Sequence, residues 1–366
     1  FTTLLGEDKI NGLASAMDGS TSSQFWSVQG LINTGNINNL PKVGLYVTLA
    51  VAYVALAGPG LYFFWKQRGM RQYYQLSVGI LSLCCTGMVL LMGMSTRFTG
   101  PFFTYATIKD TDRDEISETT FINMRAPYNK PYSVTLNPEY TLYPLTGSAY
   151  YNMGPLPKFT GEETPSITIH YDDEGTRVRS DNVGAFNSKF FMMERRMENG
   201  QQEGFTGDVN SFDGKVTGTL TNNYGQEVDN VAILLYNQMI LIGHMEPGET
   251  VSLDGMKVIY GITNFGYAMA EQITGASRYK EDKDIRDAAY VQALERTNLL
   301  SFYMGNYLSG YHSEARVLGF SNEKEETGFL KSSNYETYGS TLLTSSIDVN
   351  YEQDGMIYKS ALQKQP

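Results

Sequence analysis

The stretch VGLYVTLAVAYVALAGPGLYFFW (Val43–Trp65), followed by LSVGILSLCCTGMVLLMGM (Leu76–Met94), decides how the chain is organised. Neither run contains a charged residue, and each has about the length of the ~20 apolar residues that cross a bilayer as a helix. Two such runs in succession predict a transmembrane helical hairpin at 43–96. A buried hairpin of a soluble domain is the alternative, but the aromatic residues at the loop ends of both runs favour the membrane, where such rings prefer the headgroup level.

A short basic segment joins the two apolar runs and predicts their orientation. Lys66, Arg68 and Arg71 lie in it without an acidic residue, whereas Lys42 and Arg97 supply one positive charge each at the other ends. Because basic loops stay on the cytoplasmic side, the loop 66–76 is predicted to be cytoplasmic and both termini extracellular. The expected location is a bacterial plasma membrane, with the lipid bilayer as the first partner.

Gly58, Pro59 and Gly60 interrupt the first run, and we interpret them as a helix kink, which lipid-embedded helices tolerate. Neither run contains an ionisable Asp, Glu, Lys, Arg or His, the residues that mark transport pathways, so an anchor is predicted rather than a conduit. The two cysteines, Cys84 and Cys85, are adjacent in the second run. They are expected to face lipid or a neighbouring helix, not to form a disulfide.

The composition limits the class of protein further. A formal net charge of −11 argues against nucleic acid as a partner, because phosphates require a basic surface. The 26 tyrosines and 36 glycines are typical of β-rich folds with many turns. The long region after the hairpin has no cysteine, which fits an exported bacterial domain or a cytoplasmic one. Because the chain begins with Phe1, we expect it to be part of a longer polypeptide.

Short alternating segments after residue 97 predict a β-sandwich. The clearest signal is 214–261, where strands and explicit turns alternate as in a β meander. The segment Phe186–Arg196 is compatible with a strand or a short helix. The predicted strands lie at 102–108, 132–136, 166–171, 216–221, 231–236, 238–242, 250–253, 316–320 and 341–349.

Between the β segments, apolar residues of 281–308 recur at helical spacing, which predicts one amphipathic helix or two helices broken near Thr297. The predicted fold is therefore mostly β with α: a two-helix transmembrane hairpin and a β-sandwich-type extracellular domain with an amphipathic helix. The predicted organisation is a juxtamembrane connector (1–42), the hairpin (43–96), a β-sandwich-type ectodomain (97–272), an amphipathic helical segment (273–312), a final β section completing the ectodomain (313–358) and a tail (359–366).

Two groups of residues resemble a known family. The first is Tyr53 to Tyr62 with its Gly-Pro pair, followed by the basic turn and a second helix; the second is Gly214–Asn223 with Leu241-Ile242-Gly243 and Glu246-Pro247-Gly248. Together they resemble the C-terminal region of large uncharacterised Firmicutes-type membrane-anchored surface proteins. The resemblance implies an exported, tethered β domain with further extracellular domains upstream, and it brings no catalytic residues.

Residues with the chemistry of a catalytic site are few. His170, His244 and His312 lie far apart, without the spacing of a metal site, and a surface or core role is the simpler interpretation. No G-x-S-x-G nucleophile motif, phosphate-binding loop or dinucleotide fingerprint is present. No catalytic residue and no cofactor are therefore expected, although carboxylates paired as in glycosidases remain open.

Two acidic turns are the candidates for a metal site. Asp172 and Asp173 lie in one, and Asp208 and Asp213 lie in the other. Carboxylate oxygens are the ligands that calcium prefers, but the second turn departs from EF-hand spacing. Solvated turns are the competing interpretation of both.

The sequence thus predicts a membrane-tethered extracellular structural or binding module, a subunit of a larger cell-envelope or transporter-associated complex, whose partners are other membrane or envelope proteins. The alternative is a membrane-anchored envelope hydrolase acting on glycan or peptide. A deep cleft lined by carboxylates favours the enzyme; a flat aromatic face or a strand edge paired with another chain favours the module.

Overall fold

A computed structural model of the protein shows a mostly β fold with helices, two of them long and apolar. Two compact units divide the chain: a helical unit, Asn36–Thr99, and a β unit, Phe1–Gly35 with Gly100–Pro366. The structure describes residues 28–32, 43–94, 100–145, 167–181, 184–235, 238–260, 266–276, 287–308, 315–321, 328–331, 335–353 and 356–357.

The helices of the helical unit are interrupted where the sequence places its Gly-Pro-Gly. The order is α1 (Val43–Ala55), a π-helical turn (Leu56–Gly60), α2 (Leu61–Gln67), a 3-10 turn (Arg71–Tyr73) and α3 (Tyr74–Met94). Pro59 has no N–H to donate, and the wider π-helical turn carries the chain past it.

Two side-chain hydrogen bonds join the helices of this unit. The Tyr74 hydroxyl donates to the carbonyl of Ala57 in the π-helical turn at 2.9 Å, and Trp65 Nε1 donates to Ser77 Oγ at 2.9 Å. Apolar side chains elsewhere on the helices point outward; Leu83, for example, is 75% exposed. The pair is thus held together by polar contacts near its loop end.

Besides the helical segment at 28–32, the β unit contains eighteen described strands and two helices, α4 (Gly266–Thr274) and α5 (Ala288–Asn306). The strands are β1 (Phe102–Thr111), β2 (Glu115–Arg125), β3 (Tyr132–Leu136), β4 (Thr141–Leu145), β5 (Ile167–Asp172), β6 (Gly175–Ser180), β7 (Lys189–Glu198), β8 (Phe205–Phe212), β9 (Lys215–Asn222), β10 (Val228–Leu235), β11 (Gln238–Met245), β12 (Thr250–Ser252), β13 (Val258–Tyr260), β14 (Ala315–Ser321), β15 (Glu336–Ile347), β16 (Val349–Asn350), β17 (Glu352–Gln353) and β18 (Met356–Ile357).

A nine-stranded sheet organises the β unit, with strand order β13-β11-β10-β14-β15-β1-β2-β7-β4. Its central pair, β1 and β15, is parallel and joins two parts of the chain more than 200 residues apart, whereas the other pairs of this sheet are antiparallel. Two smaller sheets, β12-β9-β8-β16 and β3-β6-β5, accompany it.

Alternation along the central strands shows what covers each face of the large sheet. Ala232, Leu234 and Leu342 belong to a core shared with the helices, whereas their neighbours Ile233 and Leu343 pack with the β8–β9 sheet. Since successive side chains of a strand point to opposite faces, the sheet is buried on both. A third core packs the β3–β6 sheet against β1, β2 and β7.

Residues 28–32, which the sequence assigns to a connector, are helical and contribute to this core. Val28, Leu31 and Ile32 are buried among residues of the helical face, and the Thr104 hydroxyl donates to the Ile32 carbonyl at 2.6 Å. This short segment therefore packs as part of the β unit, in addition to any connecting role.

Several expectations from the sequence change once the sheets are seen. The predicted meander at 214–261 is wrong, because β9 and β12 pair with each other in one sheet while β10, β11 and β13 lie in another. The ambiguous segment at Phe186–Arg196 forms strand β7, and α5 passes through Thr297 without a break. The predicted tail at 359–366 lies outside the described residues.

Candidate functional site

A cleft of about 1080 Å³ lies at one end of the nine-stranded sheet of the β unit. Its walls are the β1–β2 turn (Thr111–Glu115), the β7–β8 loop (Asn199–Glu203), the first residues of β8 and the end of β15 with Asp348 and Val349. Because β1 and β15 are parallel neighbours, the segments that follow both strands meet at this end.

Asn199 holds two of these walls together. It is buried, and its Nδ2 donates to the carbonyls of Asp112 at 2.7 Å and Glu203 at 3.0 Å, while its Oδ1 accepts from the Glu203 N–H at 2.9 Å. Its own N–H donates to the Asp114 carbonyl at 2.9 Å. A single amide side chain thus fixes the β1–β2 turn against the β7–β8 loop, and the rim of the cleft is preorganised.

A buried hydroxyl network lies beneath the cleft. Tyr224 is fully buried, and its hydroxyl donates to Thr111 Oγ1 at 3.0 Å and lies 3.2 Å from Ser345 Oγ. Burial raises the pKa of Tyr224 to about 12, against the opposing effect of these hydrogen bonds. Ser345 Oγ also accepts from the N–H of Phe205 at 3.1 Å, which ties β8 to β15.

Carboxylates dominate the charge of the cleft: one cation, Arg113, and five acidic residues line it. Four of these carboxylates have partners: Glu203 pairs with Lys109 Nζ at 2.8 Å, Glu115 with Arg196 Nη1 at 3.7 Å and Asp348 with Arg113, and Asp112 accepts from the Ser346 hydroxyl. Within the described part of the chain, no group of three or more His, Cys, Asp or Glu side chains is placed to hold a metal ion. The five acidic residues are Asp112, Asp114, Glu115, Glu203 and Asp348.

The metal candidates from the sequence lie elsewhere and in two different sheets. Asp172 and Asp173 are exposed at the β5–β6 turn, where Asp172 Oδ1 accepts from the N–H groups of Glu174 at 3.0 Å and Gly175 at 2.9 Å. That oxygen therefore shapes the turn, as Asp does in Asx turns.

The other two candidates, Asp208 and Asp213, are exposed on β8 and in the β8–β9 turn. Asp213 and Gly214 both have positive φ, 47° and 73°, as a two-residue type I′ hairpin requires. The structure does not bring these two residues together with Asp172 and Asp173.

The residues predicted to orient the hairpin, Lys66, Arg68 and Arg71, lie at a well-defined turn of the helical unit. Gly69 has φ 71°, its N–H donates to the Lys66 carbonyl, and the Met70 N–H donates to the Trp65 carbonyl, which is a Schellman motif. Arg68 packs its guanidinium over the Phe64 ring with 4.3 Å between Cζ and the ring centre.

Sequence reasoning missed a polar cluster at a bulge in β10. Asp229 Oδ1 lies 2.7 Å from His244 Nδ1, and its Oδ2 accepts from Arg296 of α5 at 3.3 Å. Arg296 also donates to Asn230 Oδ1 at 2.7 Å, and Asn230 has φ 53°. The hydrogen bonds to Asp229 and Glu246 raise the pKa of His244. His170 is exposed on β5, and His312 lies outside the described residues.

The cleft carboxylates were also missed, although TDRDE at 111–115 is an acidic turn of the same kind as the two that were selected. Nothing in the local sequence distinguishes it from them. Only the parallel pairing of β1 with β15 brings it beside Asp348, more than 230 positions away.

Comparison with known proteins gives one family and distant structural neighbours. Residues 204–350 match a domain of unknown function (DUF8725), and no curated protein matches the chain. The yeast delta-COP-I mu-homology domain in complex with a Dsl1 WxWxV peptide is similar with 8% identity and a TM-score of 0.33, and the same domain without peptide with 10% and 0.31. Each comparison covers 69% of this chain and 98% of the other.

Proposed function

We propose that the chain is a membrane-tethered extracellular binding module, a subunit of a larger cell-envelope or transporter-associated complex in a bacterial plasma membrane. The observation that carries the binding role is a preorganised cleft at the end of the nine-stranded sheet whose carboxylates are mostly held in ion pairs and hydrogen bonds, not free to act as an acid–base pair. Its rim is fixed by Asn199 and its floor by Tyr224, so a ligand meets a site whose ordering cost is already met by folding.

The membrane tether is supported by the helical unit. Its two helical stretches, Gly44–Gln67 and Arg71–Gly93, contain 24 and 23 residues, and each is long and apolar enough to cross a bilayer. Their side chains are not buried within the structure, and so much exposed apolar surface is unfavourable in water. Lys66, Arg68 and Arg71 support a cytoplasmic loop with both flanking regions outside.

A sandwich-type ectodomain is the finer part of the proposal. It is supported by the packing of the β8–β9 sheet and the β3–β6 sheet on the face of the large sheet opposite the helices. Helices on one face and strands on the other give a three-layered arrangement, in which loops at the strand ends are free to form a binding site.

A second function, an envelope hydrolase acting on glycan or peptide, is favoured by one specific observation: five acidic residues line the same cleft. A glycosidase needs one carboxylic acid and one carboxylate facing each other across the substrate. Four of the five are instead engaged with Lys109, Arg196, Arg113 and Ser346, which suits a recognition surface better than an acid–base pair.

Crosslinking of the chain in native membranes, followed by purification, tests the binding role. We expect a stoichiometric membrane or envelope protein that is crosslinked to wild type and lost when Asp114 and Asp348 are both replaced by Asn. Recovery of the chain alone, with glycan or peptide hydrolysis that the same double variant abolishes, would establish the hydrolase instead.

Thiol labelling of intact cells tests the tether separately. With Cys84 and Cys85 replaced by Ala, Lys215→Cys is expected to react with a membrane-impermeant maleimide, whereas Gln67→Cys is expected to react only after permeabilisation. Both positions are exposed in the structure, so access depends on the membrane. The reverse pattern would place the β unit inside the cell, and equal labelling of both would reject the hairpin.

A further inference from the structure

We propose that the cleft binds a basic, extended peptide segment of a partner protein, which adds as a strand to the open edge of β8. This inference rests on the proposed binding function and names the chemistry of the partner. Three features of the β unit support it: an unpartnered strand edge, backbone groups directed at the cleft, and complementary charge.

The strand edge is visible in the pairing of β8. All eight residues of β8 pair with β9 on one side, but on the other side β16 pairs only with Val209 and Asn210. Among the described strands, none pairs through its backbone with the first four residues, 205–208, on that second side. Phe205, Thr206 and Gly207 line the cleft, so this edge opens into it.

The register shows which backbone groups face the cleft. A two-residue turn closes the β8–β9 hairpin, so Phe212 and Lys215 exchange backbone hydrogen bonds. Counting back from Phe212, every second residue of β8 also directs its backbone N–H and C=O towards β9. The N–H and C=O of Gly207 therefore point away from β9. The backbone groups of Phe205 point the same way as those of Gly207, and the Phe205 N–H donates to Ser345 Oγ on the side away from β9. Gly207 thus offers one donor and one acceptor to an added strand.

The charge of the cleft selects the side chains of that strand. The five carboxylates described above face a single lining cation, Arg113. Peptides that extend a sheet gain affinity from main-chain hydrogen bonds and specificity from alternate side chains. Because alternate residues point the same way, Lys or Arg at every second position reaches the carboxylates together.

The size of the site fits a peptide better than a metabolite. Its volume of about 1080 Å³ is at the upper end of the ~300–1,000 Å³ typical of small-molecule pockets. Residues 205–208 of β8 span roughly 13 Å at about 3.3 Å per residue, and within that length Gly207 provides the donor and the acceptor for one short added strand.

Fluorescence anisotropy of labelled peptides on the full chain in detergent micelles tests the inference. The probe is a fluorescein-labelled decapeptide of alternating Lys and Thr. One comparison peptide carries Glu in place of Lys. Two others carry N-methyl groups on alternate backbone nitrogens, one peptide for each of the two possible registers. We expect the Lys peptide to bind at least 10-fold more tightly than any of the three.

Charge reversal in the cleft provides the matched protein variants. Asp114→Lys is expected to weaken binding of the Lys peptide about 10-fold or more, whereas Asp173→Lys, the same change in the exposed β5–β6 turn, leaves it unchanged. Gly207 is unsuitable for substitution, because a Cβ there would lie 2.4 Å from the carbonyl oxygen of Thr219 and disturb β9 itself.

Each outcome decides a part of the inference. Equal effects of Asp114→Lys and Asp173→Lys would overturn the cleft as the site, and equal binding of the N-methylated peptides would overturn strand addition. Equal binding of the Glu peptide would overturn the choice of a basic partner. These measurements in micelles do not depend on membrane orientation, so their failure is distinguishable from failure of the crosslinking and labelling experiments above.

Discussion

Glu118 and Arg195 form a half-buried ion pair between β2 and β7 whose disruption is expected to destabilise the β unit strongly. Arg195 donates from Nε at 3.2 Å and Nη2 at 2.6 Å to one oxygen of Glu118, and the hydroxyl of Tyr140 donates to the other at 3.0 Å. Burial lowers the pKa of Arg195, but the charge and hydrogen bonds of Glu118 outweigh it and the net pKa is raised. Arg195→Met removes the cation while keeping the volume of its stem.

The loss in the free energy of unfolding depends on the environment in which the Glu118 carboxylate is left after Arg195→Met. The side chain of Glu118 is only 11% exposed and that of Arg195 is 22% exposed, so water replaces the lost partner poorly. Removing one member of a buried pair costs about 3–5 kcal/mol, and the partial exposure here places the expectation near 3 kcal/mol. For a unit of this size, that corresponds to a fall in Tm of roughly 6–12 °C.

The assay is thermal unfolding of the full chain in micelles, followed by circular dichroism of the β signal. Glu118→Leu should cost a similar amount, whereas the double variant Glu118→Leu/Arg195→Met should lie within about 1–2 kcal/mol of wild type, because no buried charge is left unpaired and Glu139, the second carboxylate that pairs with Arg195, is exposed. Arg179→Met is the control, since Arg179 pairs with Asp181 on the surface and its loss costs about 0–1 kcal/mol.

Two results would refute this reasoning. One is an Arg195→Met variant whose Tm falls no further than that of Arg179→Met. The other is a double variant that loses the sum of the two single changes, because the pair would then be two independent packing residues.

Three further predictions concern the hydroxyl network, the histidine and a turn. Tyr224→Phe leaves two buried hydroxyls short of a partner, so urea denaturation should show a loss of about 1–2 kcal/mol; an unchanged midpoint contradicts the network. The pKa of His244 is raised by folding, so its stabilising contribution is present below its unfolded pKa of about 6.5 and is lost as pH rises through the raised value. His244→Gln should remove that component from the pH dependence of Tm. A pH profile of Tm identical to that of wild type would contradict a stabilising role of the His244 charge. Gly175→Ala should destabilise by more than 1 kcal/mol, because φ is 151° and a Cβ would lie 2.4 Å from the Leu136 carbonyl oxygen, whereas Gly184→Ala has open space and should be neutral; equal Tm values for the two would contradict this.

Local sequence patterns were sufficient to predict elements whose pairing strands are near in the chain or whose residue types are characteristic of one structure. The strand at 132–136 was predicted from period-2 alternation and corresponds to β3, and the strand predicted at 316–320 lies within β14. Strand β2 was missed because Phe121, Ile122 and Met124 are buried consecutively on a sheet covered on both faces, so the alternation disappears. Helix α4 was missed because its nine residues are shorter than the window of about 11–18 residues over which helical periodicity is recognised.

The candidate site could not be predicted from the sequence, for a different reason. Its carboxylates come from segments that end β1, precede β8 and follow β15, and each segment alone is a polar turn like several others in the chain. The pairing of β1 with β15 depends on which side chains pack in the core, and no local motif records that choice.

By itself, the sequence determined that two uncharged apolar runs form long helices and that most of the rest forms strands, because hydrophobic length and period are properties of neighbouring residues. The tertiary structure alone decided that β9 and β10, consecutive in the chain, belong to different sheets, and that Asp114 and Asp348 line one cleft. Those outcomes depend on burial summed over residues far apart in the chain, where many weak contacts, rather than any single motif, select one topology.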